Sequence, residues 1–162
     1  MLWPTFGCTT GRVAEFDLAE LRDDLAPGHA ARRSVRFQDV DAAGIVFYPR
    51  ILEYLNDALL DFLVARGVRV VEALREQTWA LPLRHVEADF LAPLRFGDAI
   101  EVAVVRAALE ASQVTVGYRV TRQGSQALVA VGKTVHVAVD PHGFHRTELP
   151  RPLREVFEPI CR

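Results

Sequence analysis

Apolar residues recur at three- and four-residue spacing through Phe47, Ile51, Tyr54, Leu55, Ala58, Leu59, Phe62 and Leu63. Such spacing lays one broad apolar face along a long helix. Pro49 suits its first turn, where a missing N–H leaves no bond unmade, and Gly67 stands where a C′ residue ends a helix. The helix is therefore predicted over residues 47–66, with a shorter helical piece from Val71 to Glu76. Before it, Arg33 to Phe37 alternates as a first core strand. After it the period switches to two. Strands are predicted from Leu81 to Leu91, Ala99 to Leu109, around Val114 to Val120, and from Ala127 to Val139, separated by turns at Phe96-Gly97-Asp98, Glu110-Ala111-Ser112 and Gln123-Gly124-Ser125. Asp140-Pro141-His142-Gly143 closes the last strand, and Leu149 to Phe157 reads as a final short helix behind Pro150 and Pro152.

Residues 1–30 form an N-terminal extension ahead of one domain at 31–162. Within the extension, Asp17 and Glu20 bracket a capped turn that carries Leu18, Leu21 and Leu25, and Pro27-Gly28 stops it. Val13 to Phe16 has the character of a short extra strand. The order strand, long helix, four short-linked strands makes an α+β domain in which one helix packs on an antiparallel sheet. One helix cannot protect the edges of a five-stranded sheet, so pairing with a second copy is expected.

Composition narrows the function. Half the 162 residues are apolar, a quarter are charged, and the formal charge is −2. That balance gives no reason to expect nucleic acid or an anionic membrane as partner. No apolar run approaches the ~20 residues a membrane span needs, and Met1-Leu2-Trp3-Pro4 lacks the basic and apolar stretches of a signal peptide. Two cysteines, Cys8 and Cys161, make no disulfide framework, so a cytoplasmic location is expected. Lys133 is the only lysine. Ser34, Ser112 and Ser125 are the only serines and none lies in G-x-S-x-G, which excludes a serine α/β-hydrolase. Phosphate-loop and dinucleotide fingerprints are absent too.

The chemistry-bearing stretch is Phe37-Gln38-Asp39-Val40-Asp41-Ala42-Ala43-Gly44-Ile45-Val46-Phe47-Tyr48-Pro49. It sets a carboxylate and a glycine at the mouth of the long helix, where unpaired N–H groups and the positive dipole end favour an oxygen gaining negative charge. A carboxylate there can attack a carbonyl or activate water.

This segment resembles the signature of the 4-hydroxybenzoyl-CoA thioesterase-like branch of the hotdog-fold family. Leu81-Pro82-Leu83-Arg84-His85-Val86-Glu87, Phe90-Leu91-Ala92-Pro93-Leu94-Arg95-Phe96-Gly97-Asp98 and Leu149-Pro150 extend the resemblance over roughly residues 33–157. It implies a long central helix wrapped by a curved antiparallel sheet of about five strands, active sites between subunits, and hydrolysis of acyl-CoA thioesters without metal or cofactor. It also implies Asp41 as the catalytic carboxylate, the backbone amide of Tyr48 as the carbonyl-polarising donor, and Gly44 as the residue that lets the loop approach substrate. Val46, Phe47 and His85 are candidate substrate contacts. A homodimer, or a homotetramer built as a dimer of dimers, is the implied assembly.

Other readings of these residues are plainer. Asp39 reads as a solvent or capping residue without chemistry, and its substitution should matter much less than that of Asp41. His85, Glu87 and Asp89 alternate on one strand face, which fits a proton relay or a solvated or interface face. His142 and His145 flank Gly143 in a turn, away from a helix, so no metal site is expected. Trp79, Phe47 and Phe90 read as core or pocket wall. An acyl group on a carrier protein, or a non-hydrolytic acyl-CoA binder, are the alternatives to a CoA thioesterase. A dehydratase of the same fold is a third alternative, but such enzymes rely on a histidine and an acid in another arrangement, and no histidine of this chain lies on the helix.

Overall fold

The amphipathic run becomes helix α1, Tyr48–Ala65, in a computed structural model that describes residues 16–161. Its buried residues are Ile51, Tyr54, Leu55, Ala58, Leu59, Phe62 and Leu63. Phe47, grouped with them by spacing, instead lies just outside the helix as its extended N-cap residue and is half-exposed. Pro49 occupies the first turn, and Gly67 beyond the last has a φ of +82°, a left-handed conformation that favours glycine. Helix α2, Val70–Glu76, follows.

The strands β1 (His29–Ser34), β2 (Leu83–Phe90), β3 (Ala99–Leu109), β4 (Gln113–Arg122) and β5 (Leu128–Val137) form one curved antiparallel sheet in the order β1-β3-β4-β5-β2. Register shifts at Leu83/His85 in β2 and Val104/Arg106 in β3 are the bulges that bend a sheet around a helix. Helix α3, Arg151–Phe157, closes the chain against β3 and α1, with Phe157 5.3 Å from the Phe62 ring. Among the described residues no helix is long and apolar enough to cross a membrane.

β1 begins earlier than the alternation suggested and ends before Phe37. Its first residues, His29 and Ala30, pair with Val104 and Ala103, so residue 30 lies inside a strand. Val35 still bonds across to the Gly97-Asp98 turn, but Phe37–Asp39 then closes a 3-10 turn and leaves Phe37 76% exposed. Arg36 and Asp39 bond reciprocally around that turn, and this capping outcompetes the extended conformation.

The main core lies between α1 and the sheet. Val102, Val104, Val114, Val116, Tyr118 and Val120 face the helix, each removed from water. Burying such side chains contributes about 1.5–3 kcal/mol apiece. Leu55 lies against Gly132 so closely that a Cβ there would collide with it, so the glycine sets the depth at which α1 docks. One polar chain crosses this core. The Tyr118 hydroxyl donates to Thr134 Oγ1 (2.8 Å), whose own hydroxyl donates to His136 Nε2 (3.1 Å), and His136 Nδ1–H donates to the Leu81 carbonyl (3.1 Å). Burial lowers the pKa of His136, which keeps the ring in the neutral form this chain of bonds requires.

The sheet's outer face carries a second, smaller core. Phe16 and Leu21 pack there with Ala103, Val105 and Val131. They sit directly over Gly117, whose missing Cβ would stand 2.6 Å from Leu21 and 2.8 Å from Phe16. Asp17 and Glu20 cap the turn reciprocally at 3.0 Å, as their spacing predicts. Arg106 bonds Glu20 at 2.6 Å, Arg22 bonds Asp89 at 2.7 Å, and Lys133 donates to the Phe16 carbonyl at 3.1 Å. Of the proposed extra strand, Val13 to Glu15 lie outside the described residues, as does Cys8.

Candidate active site at the mouth of helix α1

The site is a tight hairpin feeding the first turn of α1. Val40 and Val46 pair as an isolated antiparallel bridge, and between them Gly44 N–H donates to the Asp41 carbonyl and Asp41 N–H to that of Ile45, both at 2.9 Å. Gly44 has a φ of +72°, and nothing lies within 4 Å of where its Cβ would be. The turn's backbone conformation therefore accounts for this glycine, with open space above it. Asp41 is exposed. Its Oδ1 accepts the Ala43 N–H at 2.8 Å, and its Oδ2 has no partner among the described residues. The carboxylate thus bonds within its own turn and does not cap α1. No side chain caps that helix.

The helix mouth is correspondingly bare. Phe47 N–H donates to the Asp39 carbonyl at 2.9 Å, Pro49 has no N–H, and Arg50 N–H returns to the Phe47 carbonyl at 2.8 Å. The Tyr48 N–H, first of the helix, has no acceptor among the described residues. It is the donor such a terminus leaves for a ligand oxygen.

Asp39 supports both halves of this unit from below. It is fully buried, and not the solvent residue its position suggested, although it does cap. Oδ2 accepts from the Arg36 backbone N–H (2.9 Å), the Arg36 Nε (3.0 Å) and the Tyr54 hydroxyl (2.8 Å). Oδ1 takes Arg36 again at 3.0 Å and has the Arg50 guanidinium at 3.9 Å. Burial alone would raise this carboxyl's pKa. The hydrogen bonds from Arg36 and Tyr54 and the Arg36 charge outweigh it, and the pKa falls to about 2. Burial and the bond to Asp39 together raise the pKa of Tyr54, so its hydroxyl stays a donor.

Beside the mouth runs a cleft of about 360 Å³. Ile45 and Val46 form one wall, Tyr48 and Ile51 the helix side, and residues 90–94 with Val129 and Ala130 the sheet side. The rings of Phe47 and Tyr48 meet at 5.1 Å, and Tyr48 lies 6.5 Å from Phe90. The structure thus brings Asp41, Gly44, Val46, Phe47 and Tyr48 into one loop-and-helix unit, with Val46 in the cleft wall and Phe47 beside Tyr48.

His85 is not part of that unit. In the register of β2 and β5, Glu87 stands opposite Lys133 and Ala88 opposite Gly132. Gly132 faces Leu55 of α1, so Glu87, and His85 with Nε2 3.6 Å from its carboxylate, lie on the outer face. There Glu87 pairs with Lys133 at 2.7 Å and Asp89 with Arg22. His85 therefore belongs to a charged outer surface. His142 and His145 flank Asp140, each Nδ1 3.6 Å from its carboxylate, in a turn held by Gly143 N–H on that same carboxylate.

On the sheet side of the cleft, Phe90 lines the wall as core-or-pocket residues do, but sequence reasoning assigned no such place to Leu91, at the end of the predicted strand, or to Ala92 and Leu94 beyond it. The signal was there: an apolar run continuing past the end of a strand has no reason to stay apolar unless something covers it.

Comparison with known proteins supports the same identification. Residues 35–157 match the model of the thioesterase-like superfamily. A 1,4-dihydroxy-2-naphthoyl-CoA hydrolase of Picosynechococcus is 31% identical over 75% of this chain and 86% of its own. One from Rippkaea orientalis is 32% identical over 76% and 90%. Among solved structures, a 1,4-dihydroxy-2-naphthoyl-CoA thioesterase from Synechocystis superposes with a TM-score of 0.74 at 26% identity, covering 79% of this chain and 93% of that one. A gentisyl-coenzyme A thioesterase superposes with a TM-score of 0.71 at 25% identity, over 78% and 99%. The chain belongs to the thioesterase-like superfamily and is a hotdog-fold thioester hydrolase.

Proposed function

We propose that this protein hydrolyses acyl-CoA thioesters to a carboxylic acid and free CoA, with Asp41 and the Tyr48 amide as its reacting groups. The observation that carries this is the pairing of an unpartnered Tyr48 N–H at the helix mouth with a half-free Asp41 carboxylate on the turn beside it. A thioester carbonyl seated on that N–H gains a preorganised donor and the positive end of α1 as negative charge builds on its oxygen. Asp41 then either attacks the carbonyl carbon, expelling CoA thiolate to leave an anhydride that water cleaves, or takes a proton from a water that attacks instead. Both routes consume one water and return the thiol. Gly44 holds the turn in the conformation that presents Asp41.

The relatives' names support CoA as the carrier. The cleft beside the mouth suits an aromatic or other bulky acyl group, with Val46 in its wall and Phe47 at its rim. An acyl group on a carrier protein is the alternative, and a non-hydrolytic binder has no use for a carboxylate beside an anionic ligand. Thiol release from a panel of acyl-CoA thioesters, repeated with one acyl group on a carrier protein, tests the reading. Release from no CoA thioester in the panel would refute it.

We further propose a cytoplasmic homo-oligomer, dimeric or a dimer of dimers, assembled along β2. Among the described residues that strand ends the sheet, and Leu83 and Phe90 lie exposed on it with Leu91 just beyond, whereas β1 at the other edge exposes no large apolar side chain.

A further inference from the structure

The lining of the cleft bears on which acyl group enters it, given that the chain is the acyl-CoA hydrolase proposed above. Apart from the Tyr48 phenol at the rim, every side chain in its walls is Ile, Val, Leu, Phe, Ala or Pro. Several backbone donors of those walls are already engaged. Leu91 N–H and Ala92 N–H both go to the Val129 carbonyl (2.9 and 3.2 Å), and Val46 N–H to that of Leu94 (2.8 Å). A hydroxyl carried on an acyl ring would leave water there and meet no side-chain partner in the cleft walls below the rim. Pairing with a second copy does not supply one from the helix-facing side of β2, where Val86, Ala88 and Phe90 are all apolar. Space is not limiting, since a cavity of about 150 Å³ already holds a benzene ring and this cleft offers about 360 Å³.

We infer that the preferred substrate carries an apolar acyl group larger than a single ring and free of ring hydroxyls, unlike the dihydroxynaphthoyl group in the names of its relatives. The specificity lies in the sheet side of the cleft, at Leu91, Ala92 and Ala130. The test compares kcat/KM for 2-naphthoyl-CoA and 1,4-dihydroxy-2-naphthoyl-CoA, each divided by its rate of hydroxide hydrolysis to remove intrinsic reactivity. A hydrophobic pocket rejects an added hydroxyl by about 10–100-fold, and a preference of that size for naphthoyl is expected. Equal turnover, or a preference for the dihydroxy compound, overturns the inference while leaving the thioesterase reading intact. Thiol release from neither compound nor any other thioester overturns that reading, and this inference with it. As a second measurement, Ala92→Phe fills the cleft. It should lower naphthoyl-CoA turnover about tenfold or more and acetyl-CoA turnover far less, by the logic of pocket discrimination. Equal loss on both substrates would put the acyl group elsewhere.

Discussion

Asp39 and Asp41 stand two residues apart in opposite surroundings, one fully buried and one exposed, and the proposed mechanism gives them different parts accordingly. Asp41 is exposed and half-unpartnered, so Asp41→Asn leaves the Ala43 N–H bond with an acceptor and removes only charge and basicity. Turnover should fall by about 10²–10⁴-fold, with stability changed by no more than about 0.5 kcal/mol, as read by thiol release and urea unfolding. Full activity in this variant would remove Asp41 from the mechanism. Asp39→Asn is the reverse case. It removes the buried charge that the Arg36 and Tyr54 hydrogen bonds hold ionised and should destabilise the protein by about 2–3 kcal/mol, the worth of so depressed a carboxyl pKa, with activity falling only as far as the hairpin loosens. The pH dependence has a definite sign. A carboxyl held at about 2 in the fold, against an ordinary value near 3.9, contributes stability in full above about pH 4 and loses it as pH falls towards 2. Urea midpoints between pH 5 and 2.5 should therefore drop less steeply in Asp39→Asn than in the parent. Parallel slopes would mean that Asp39 is not held ionised.

At the scale of elements, α1 and the strands β3 to β5 were legible because each repeats one period long enough to fix both its type and its face. Pro49 and Gly67 marked the helix ends for local reasons. β1 was misplaced because its alternation through Val35 to Phe37 competes with the bond between Arg36 and Asp39, which no periodicity reports. Within the site, the Asp41 turn and the helix mouth were readable as a contiguous motif. The Asp39–Tyr54 bond and the far wall of the cleft join residues that only the folded chain brings together. The outer layer is the plainest instance, since Glu20 meets Arg106 across 86 residues of chain. That layer should be structural: Leu21, fully buried over Gly117, lies on the outer face of the sheet, away from α1 and the proposed site at its mouth. Leu21→Ala should cost about 2–4 kcal/mol while kcat and KM stay near their parent values below the unfolding transition. A folded Leu21→Ala protein without activity would mean that the layer shapes the site.

For the whole molecule, the feature that matters most is the open side of β2. Light scattering should return two or four times the chain mass of 18.1 kDa, and a stable, active monomer would refute the assembly. The same edge has a consequence in amide exchange. In β4 and β5 both neighbours are strands, so their N–H groups exchange with deuterium only when the sheet itself opens. In β2 the amides bonded to β5 share that protection, but those pointing the other way have no partner among the described residues and can exchange without any opening. Assembly along β2 would seal them. Alternate amides of one strand should therefore slow as protein concentration rises through the association range, while those of β4 hold a constant rate, a period-two imprint of the partner on a single strand.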